Sequence, residues 1–172
     1  MHIIKHFRTV IKHKNTVFIH CIKAGIPVLG LMHDLSKFSP SEFYPGAKYF
    51  LGDKSPTELE RSCIGYSSAW MHHKGRNRHH FEYWFDYNPQ TRKMTAVKMP
   101  LKYVKEMFCD RVAASKIYKG KEYTDQVPLD YFLNSRARQR MHSSTADTLE
   151  NWLYLLAEKG EKVAFSHIKN IK

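Results

Sequence analysis

The chain has 172 residues, 42% of them hydrophobic, and a formal net charge of +12. That length suits a single domain with a real core, and the charge favours anionic partners: nucleotides, other phosphorylated small molecules or nucleic acid. No long stretch lacks charge, and the N-terminus is basic every few residues, so neither a membrane span nor a secretory signal is expected.

Residues 2–24 read as a helix. Ile3, Ile4, Phe7, Val10, Ile11, Val17, Phe18, Cys21 and Ile22 make an apolar stripe at helical spacing. His6, His13 and His20 recur every seven residues and flank that stripe. For His6 and His20 the simplest account is a place at the edge of the core, hydrogen-bonded or wet. Gly25-Ile26-Pro27 closes this helix and opens a second, buried one over 27–37. Ser39-Pro40-Ser41-Glu42 and Ser55-Pro56-Thr57-Glu58 each have the form of a capping box. They predict a short helix to about Phe50 and a longer one from Pro56 to near Lys74.

Residues 88–98 are polar and read as loop. Pro100 opens a helix to about Lys119, in which Glu106 and Asp110 share a face. Residues 128–142 read as a further helix whose Arg136, Arg138 and Arg140 form a solvated face. Ser144 or Thr145 caps a last helix ended by Gly160, and the basic tail 161–172 is weakly patterned. The whole predicts an all-α, single compact domain of six to eight helices, with C-terminal helices over 128–160 packed on a core at about 10–118. Cys21, Cys63 and Cys109 lie far apart without a CxxC pair, as expected of reduced thiols in a cytoplasmic protein.

Eleven histidines are the sharper anomaly. His33 and Asp34 sit in an apolar segment. A buried carboxylate needs a cation or several donors. Lys37, one turn on, is the plain partner; a metal answers the same need and also accounts for His33. His72-His73 and His79-His80 follow, with Lys74, Arg76 and Arg78 between them, and Asp110 lies beyond. Adjacent residues on a helix diverge by about 100°. One of His72 and His73, and one or both of His79 and His80, should therefore face a site. Imidazoles with carboxylates suit Zn, Fe, Mn or Ni. The three intervening cations would then stand where a phosphate could bridge. Asp110 has a plainer possibility, a pairing with Arg111.

The order His, His-Asp, His, His-His, Asp resembles the HD superfamily of metal-dependent phosphohydrolases. The stretches HDLSKFSPSEF at 33–43, AWMHHKGRNRHHFEYW at 69–84 and EMFCD at 106–110 resemble, more closely, an uncharacterised family of small bacterial and phage proteins. The likeness covers most of residues 12–118. It implies a helical HD fold and a metal set of His13, His33, Asp34, His73, His79, His80 and Asp110, with His72 the alternative to His73. It further implies one or two ions, Fe or Mn before Zn or Ni. Asp34 and Lys37 would be catalytic, and Lys74, Arg76 and Arg78 would bind a nucleotide-like phosphoester. Glu82 or Glu106 could orient a ligand histidine. Two readings compete with a hydrolase. One is a basic nucleic-acid-binding helical protein, suggested by the aromatic and arginine residues of 70–87. The other is a catalytically silent metal- or nucleotide-binding protein.

Overall fold

In the computed structural model, which describes residues 1–171, Ile3–Lys23 form the first helix, α1. Its buried side is His6, Val10, His13, Val17, His20 and Cys21. Ile3, Ile4, Phe7, Ile19 and Ile22 are exposed. The inward face is thus rotated from the apolar stripe expected of the sequence, and the three histidines lie within it rather than at its edge. The reason is what α1 packs on: a polar centre as well as an apolar core.

The second helix, α2, is only Pro27–Met32. It does not run to residue 37. His33 is extended (φ −54°, ψ 128°), Asp34 is left-handed (φ 54°, ψ 26°), and Leu35–Phe38 form a 3-10 turn. A Cβ on Gly30 would lie 2.5 Å from Cys21 Cβ, so only glycine lets α2 approach α1 this closely.

The third to fifth helices are α3 (Pro40–Lys48), α4 (Pro56–Ile64) and α5 (Ser68–Lys74). The single helix expected over 56–74 is two, because Gly65 takes φ 83°. Glu60 holds the break: its carboxylate accepts from Ser67 Oγ (2.5 Å), Ser68 Oγ (2.7 Å) and Ser68 N (3.1 Å). Ser67 Oγ in turn accepts from Trp70 N and caps α5. The side chains of Ser39 and Ser55 cap nothing, so neither predicted capping box forms.

The polar stretch 88–98 is not simply loop. Strand β1 (Phe85–Asn88) pairs antiparallel with β2 (Lys93–Ala96), Phe85 opposite Ala96. Asn88 Oδ1 closes the turn by accepting from Gln90 N and Thr91 N.

Helix α6 (Leu101–Lys119) is the central strut, buried from Tyr103 to Cys109 without interruption. Helix α7 covers only Val127–Asn134; Arg136 is left-handed and a separate 3-10 turn spans Ala137–Arg140, so 128–142 is not one helix. Helix α8 covers Ser143–Asn170, broken at Gly160 (φ 76°, ψ 171°). Its cap is His142, whose ring accepts from Ser144 N. The tail is therefore helical through Asn170, and Ala164, Phe165 and Ile168 are buried; Lys172 lies outside the described residues. Phe165 packs against Phe108 (5.4 Å between ring centroids) and His20 (5.1 Å). The core joins α1, α6, α7 and α8. With eight α-helices and one small hairpin among the described residues, the fold is all-α. Among the described residues, no helix is long and apolar enough to cross a membrane.

Candidate metal centre

The turn after α2 makes the centre possible. On a continuous helix His33 and Asp34 would point apart. An extended residue followed by a left-handed one turns both side chains to one side, and both are nearly inaccessible (1% and 2%). Aspartate tolerates this conformation better than most residues, at a cost of about 1 kcal/mol.

Three elements meet the dyad. From α1, His13 Nε2 lies 2.9 Å from Asp110 Oδ1 of α6. His33 Nε2 is 3.3 Å from Asp34 Oδ2 and 3.6 Å from Asp110 Oδ1. From α5 and the loop beyond it, His73 Nε2 and His79 Nε2 approach the other Asp34 oxygen, Oδ1, at 3.3 and 3.5 Å. His80 stacks beside His79, with 4.1 Å between ring centroids. Two four-residue groups result, each with ligand atoms within 4.8 Å of one another and each able to hold a metal ion: His13, His33, Asp34, Asp110 and Asp34, His73, His79, His80. Asp34 belongs to both, and its two oxygens face opposite groups.

Close as these atoms are, they do not hydrogen-bond one another. His13 Nε2, His33 Nε2, His79 Nε2, His80 Nε2 and both Asp34 oxygens are buried without a hydrogen-bond partner. Lys37 Nζ stands 2.7 Å from Asp34 Oδ2, an ion pair off the hydrogen-bond direction. Buried polar atoms are rarely left so in number, and a shared cation would satisfy them together.

The opposite ring nitrogens are held by two glutamates. Glu106 Oε1 accepts from His33 Nδ1 (2.9 Å) and lies 3.2 Å from His79 Nδ1. Glu42 accepts from His73 Nδ1 (2.7 Å) and His72 Nδ1 (2.6 Å) on its two oxygens. A proton fixed on Nδ1 leaves the Nε2 lone pair free to bind a metal. His72 itself stays outside both groups and part-exposed. Glu42 was legible only as a helix cap; nothing in its sequence neighbourhood separates a cap from an inward carboxylate. Asn77, also unnoticed, donates to the His73 carbonyl and to Ser36 Oγ, which ties the loop to the turn after Asp34.

Without a metal, the buried charges of the cluster offset one another. Burial opposes ionisation of Asp34, but His33 and Lys37 outweigh it and hold the carboxyl well below its usual range. Burial likewise opposes a charged Asp110, and His13 and His33 bring it well down. Burial disfavours imidazolium at His33, yet Asp34, Asp110 and Glu106 raise its pKa well above the ordinary value. Burial, then His79 and His73, push His80 well down. Of the cations expected to bind phosphate, both arginines hydrogen-bond elsewhere. Arg76 donates to the His72 carbonyl and Arg78 to the Tyr103 hydroxyl. Lys74 has no ion pair among the described residues. Glu82 makes no hydrogen bond to a histidine there, so of the two glutamates expected to orient a ligand, Glu106 is the one placed to do so.

Fold and cluster define a helical protein with a buried histidine–carboxylate centre able to hold a metal ion. The chain belongs to a family of unknown function, DUF5662, whose model matches residues 2–155. That span contains the whole cluster, from His13 to Asp110. No curated protein and no solved structure matches the chain.

Proposed function

We propose that the protein is a metal-dependent phosphohydrolase of the HD type, acting on a phosphoester of a nucleotide-like substrate. The observation that carries this reading is the group His13, His33, Asp34 and Asp110. These are the four positions that the resemblance to the superfamily picks out from the sequence, drawn from three separate elements. The second group, Asp34 with His73, His79 and His80, fits the additional histidines of the branches with more than one metal. Imidazole-rich sets with carboxylates favour Fe or Mn here, and one or two ions per chain, over Mg or Ca.

A divalent metal in this centre supplies Lewis acidity, both for a water nucleophile and for phosphoryl oxygens. The chain's own residues do the rest. Asp34 offers one oxygen to each group. Glu42 and Glu106 keep His73, His33 and His79 in the tautomer that leaves Nε2 open. Lys37 neutralises Asp34 and, being a third exposed at its side chain, stands at the open edge to meet charge developing on a phosphoryl group. Burial of His33, Asp34 and His79 excludes bulk water from the reacting region.

Elemental analysis of protein purified without chelator, beside Asp34→Ala, tests the reading. About one or two Fe or Mn per chain, lost in the variant, supports it and justifies a phosphoester screen. Absence of transition metal after anaerobic reconstitution overturns it and leaves the basic surface, with nucleic acid as ligand, as the better account.

A further inference from the structure

The outer side of α1 and α2 is apolar and uncovered. On α1, Ile4, Phe7, Ile11, Phe18 and Ile22 recur at helical spacing and share one face. Ile4, Phe7 and Ile22 are exposed; Ile11 and Phe18 are half-buried. Helix α2 widens this face. Gly30 seats it against Phe18 and Cys21 of α1, and Lys14 Nζ donates to the carbonyls of Leu31 (2.6 Å) and His33 (3.0 Å). Val28, Leu31 and Met32 are left 72%, 60% and 58% exposed. Phe38, in the 3-10 turn after Asp34, joins the patch by packing edge-on to Phe7, with 6.3 Å between ring centroids.

Exposed apolar side chains gathered in this way mark a contact surface, and the charge beside them indicates with what. Phe7, Ile11 and Ile19 line one shallow groove along α1 together with Arg8 and Lys12. Lys5 is exposed on the same helix. No aspartate or glutamate precedes Asp34 in the chain. Among the described residues, none of Lys5, Arg8 and Lys12 forms an ion pair. A second copy docked by two-fold symmetry would set this patch against itself, cation beside cation with no acid in either helix. Nucleic acid answers the cations but offers the aliphatic chains little apolar surface to enter. An anionic bilayer surface answers both: the apolar chains enter the headgroup–acyl boundary while the cations meet lipid phosphates.

We propose that the outer face of α1 and α2 docks on the surface of an anionic lipid bilayer without crossing it. The docking face does not rest on the hydrolase reading. His13 lies on the buried face of α1, so lipid and metal centre take opposite sides of one helix.

Flotation of the purified protein with vesicles of equal parts phosphatidylglycerol and phosphatidylcholine, beside vesicles of phosphatidylcholine alone, tests the proposal. The anionic vesicles should be bound about tenfold or more tightly than the neutral ones. Val28→Ser with Leu31→Ser should weaken binding to the anionic vesicles by about tenfold or more. Arg8→Gln with Lys12→Gln should weaken it by about as much. Lys119→Gln with Lys121→Gln, an exposed basic pair outside the patch, should change it far less. All six side chains are exposed, so melting temperature and metal content should stay at wild-type values, and the arginine–lysine pair gives the answer should the serine variant not fold. No binding to anionic vesicles, undiminished binding in the folded serine variant, or equal loss in the Lys119 and Lys121 variant overturns the proposal. So does a lipid-free dimer, seen by sedimentation, that the serine variant dissolves, or an oligonucleotide bound through these residues by a protein that leaves the vesicles alone.

Discussion

The two sides of α6 are built on opposite rules. Toward α7 and α8 the contacts are apolar: Phe108, Val112, Phe132, Leu149, Leu153 and Leu156 are wholly buried or nearly so. Toward α1, the turn after α2 and α5, the same helix meets imidazoles and carboxylates. Among the described residues, every buried side-chain nitrogen or oxygen left without a hydrogen bond belongs to a residue from His6 to Arg111, and none to α7 or α8. One side gains stability from removing carbon from water. The other holds desolvated polar atoms whose partners are each other's charges, an arrangement that favours a ligand over the bare fold. If the proposed function holds, substitutions should separate: those on the apolar side should act on folding, those on the polar side on metal and turnover.

The largest effect expected is on turnover. Asp34→Asn keeps a residue that accepts the left-handed conformation and removes only the charge. Phosphoester hydrolysis should fall by about a thousandfold or more, with bound metal lost, because the metal's contribution is several kcal/mol. The melting temperature of the chelator-treated protein should stay close to that of chelator-treated wild type. Leu153→Ala should do the reverse. It opens a cavity at a fully buried position and should cost about 3 kcal/mol in denaturant unfolding, while the folded fraction keeps its metal. A Leu153→Ala protein of normal stability but depleted metal would erase the contrast between the two sides.

A pH profile sharpens the comparison at the residue that bridges it. His20 is on the histidine row of α1 yet packs in the apolar core, with its ring 3.2 Å from the Cys109 carbonyl. Burial lowers its pKa to about 4, with Cys109 opposing. The folded-state value is below the unfolded one, so between about 6.5 and 4 the unfolded chain takes up a proton that the folded chain refuses. Stability must fall as pH drops through that window, by up to about 3 kcal/mol from this residue. His6, whose pKa burial also lowers to about 4, acts in the same window; His20→Asn should therefore make that part of the profile shallower, and a variant curve parallel to wild type would place the pH sensitivity elsewhere. Smaller still is Glu42→Gln. It weakens the acceptor for His73 Nδ1 and should reduce metal affinity by about tenfold to hundredfold with little change in melting temperature.

The all-α class and the residues that come together in the cluster were both legible in the sequence. Ligand chemistry is carried by residue type, and the seven nominated positions, His13, His33, Asp34, His73, His79, His80 and Asp110, all fall in the two groups. What supports them was not legible. Glu42 has the sequence of a capping box, and only tertiary contact turns its carboxylate away from the backbone. Lys74, Arg76 and Arg78 lie between the histidines in sequence, but the α5 terminus and the following turn direct both arginines to other partners. On α1, hydrophobic periodicity included the buried Val10, Val17 and Cys21 but also the exposed Ile3, Ile4, Phe7 and Ile22, because the buried face is rotated to take in three polar rings. Gly160, read as the end of the last helix, breaks it for one residue; the apolar positions Ala164, Phe165 and Ile168 then return to the core.

The break at Gly65 offers the finest test of how α5 is placed. A Cβ there would meet nothing within 4 Å, so crowding plays no part. The residue's φ of 83° is nonetheless unfavourable for alanine by about 1 kcal/mol. Gly65→Ala should lose that much stability, against the usual gain from reducing the unfolded chain's freedom. Its metal content should be unchanged, because Glu60 accepts three hydrogen bonds from Ser67 and Ser68 and fixes the start of α5 independently of the glycine. If metal content fell as well, alanine would have let α4 run on toward α5, turning His73 away from Glu42 and Asp34. The glycine, and not the buried glutamate, would then set the register of the second ligand group.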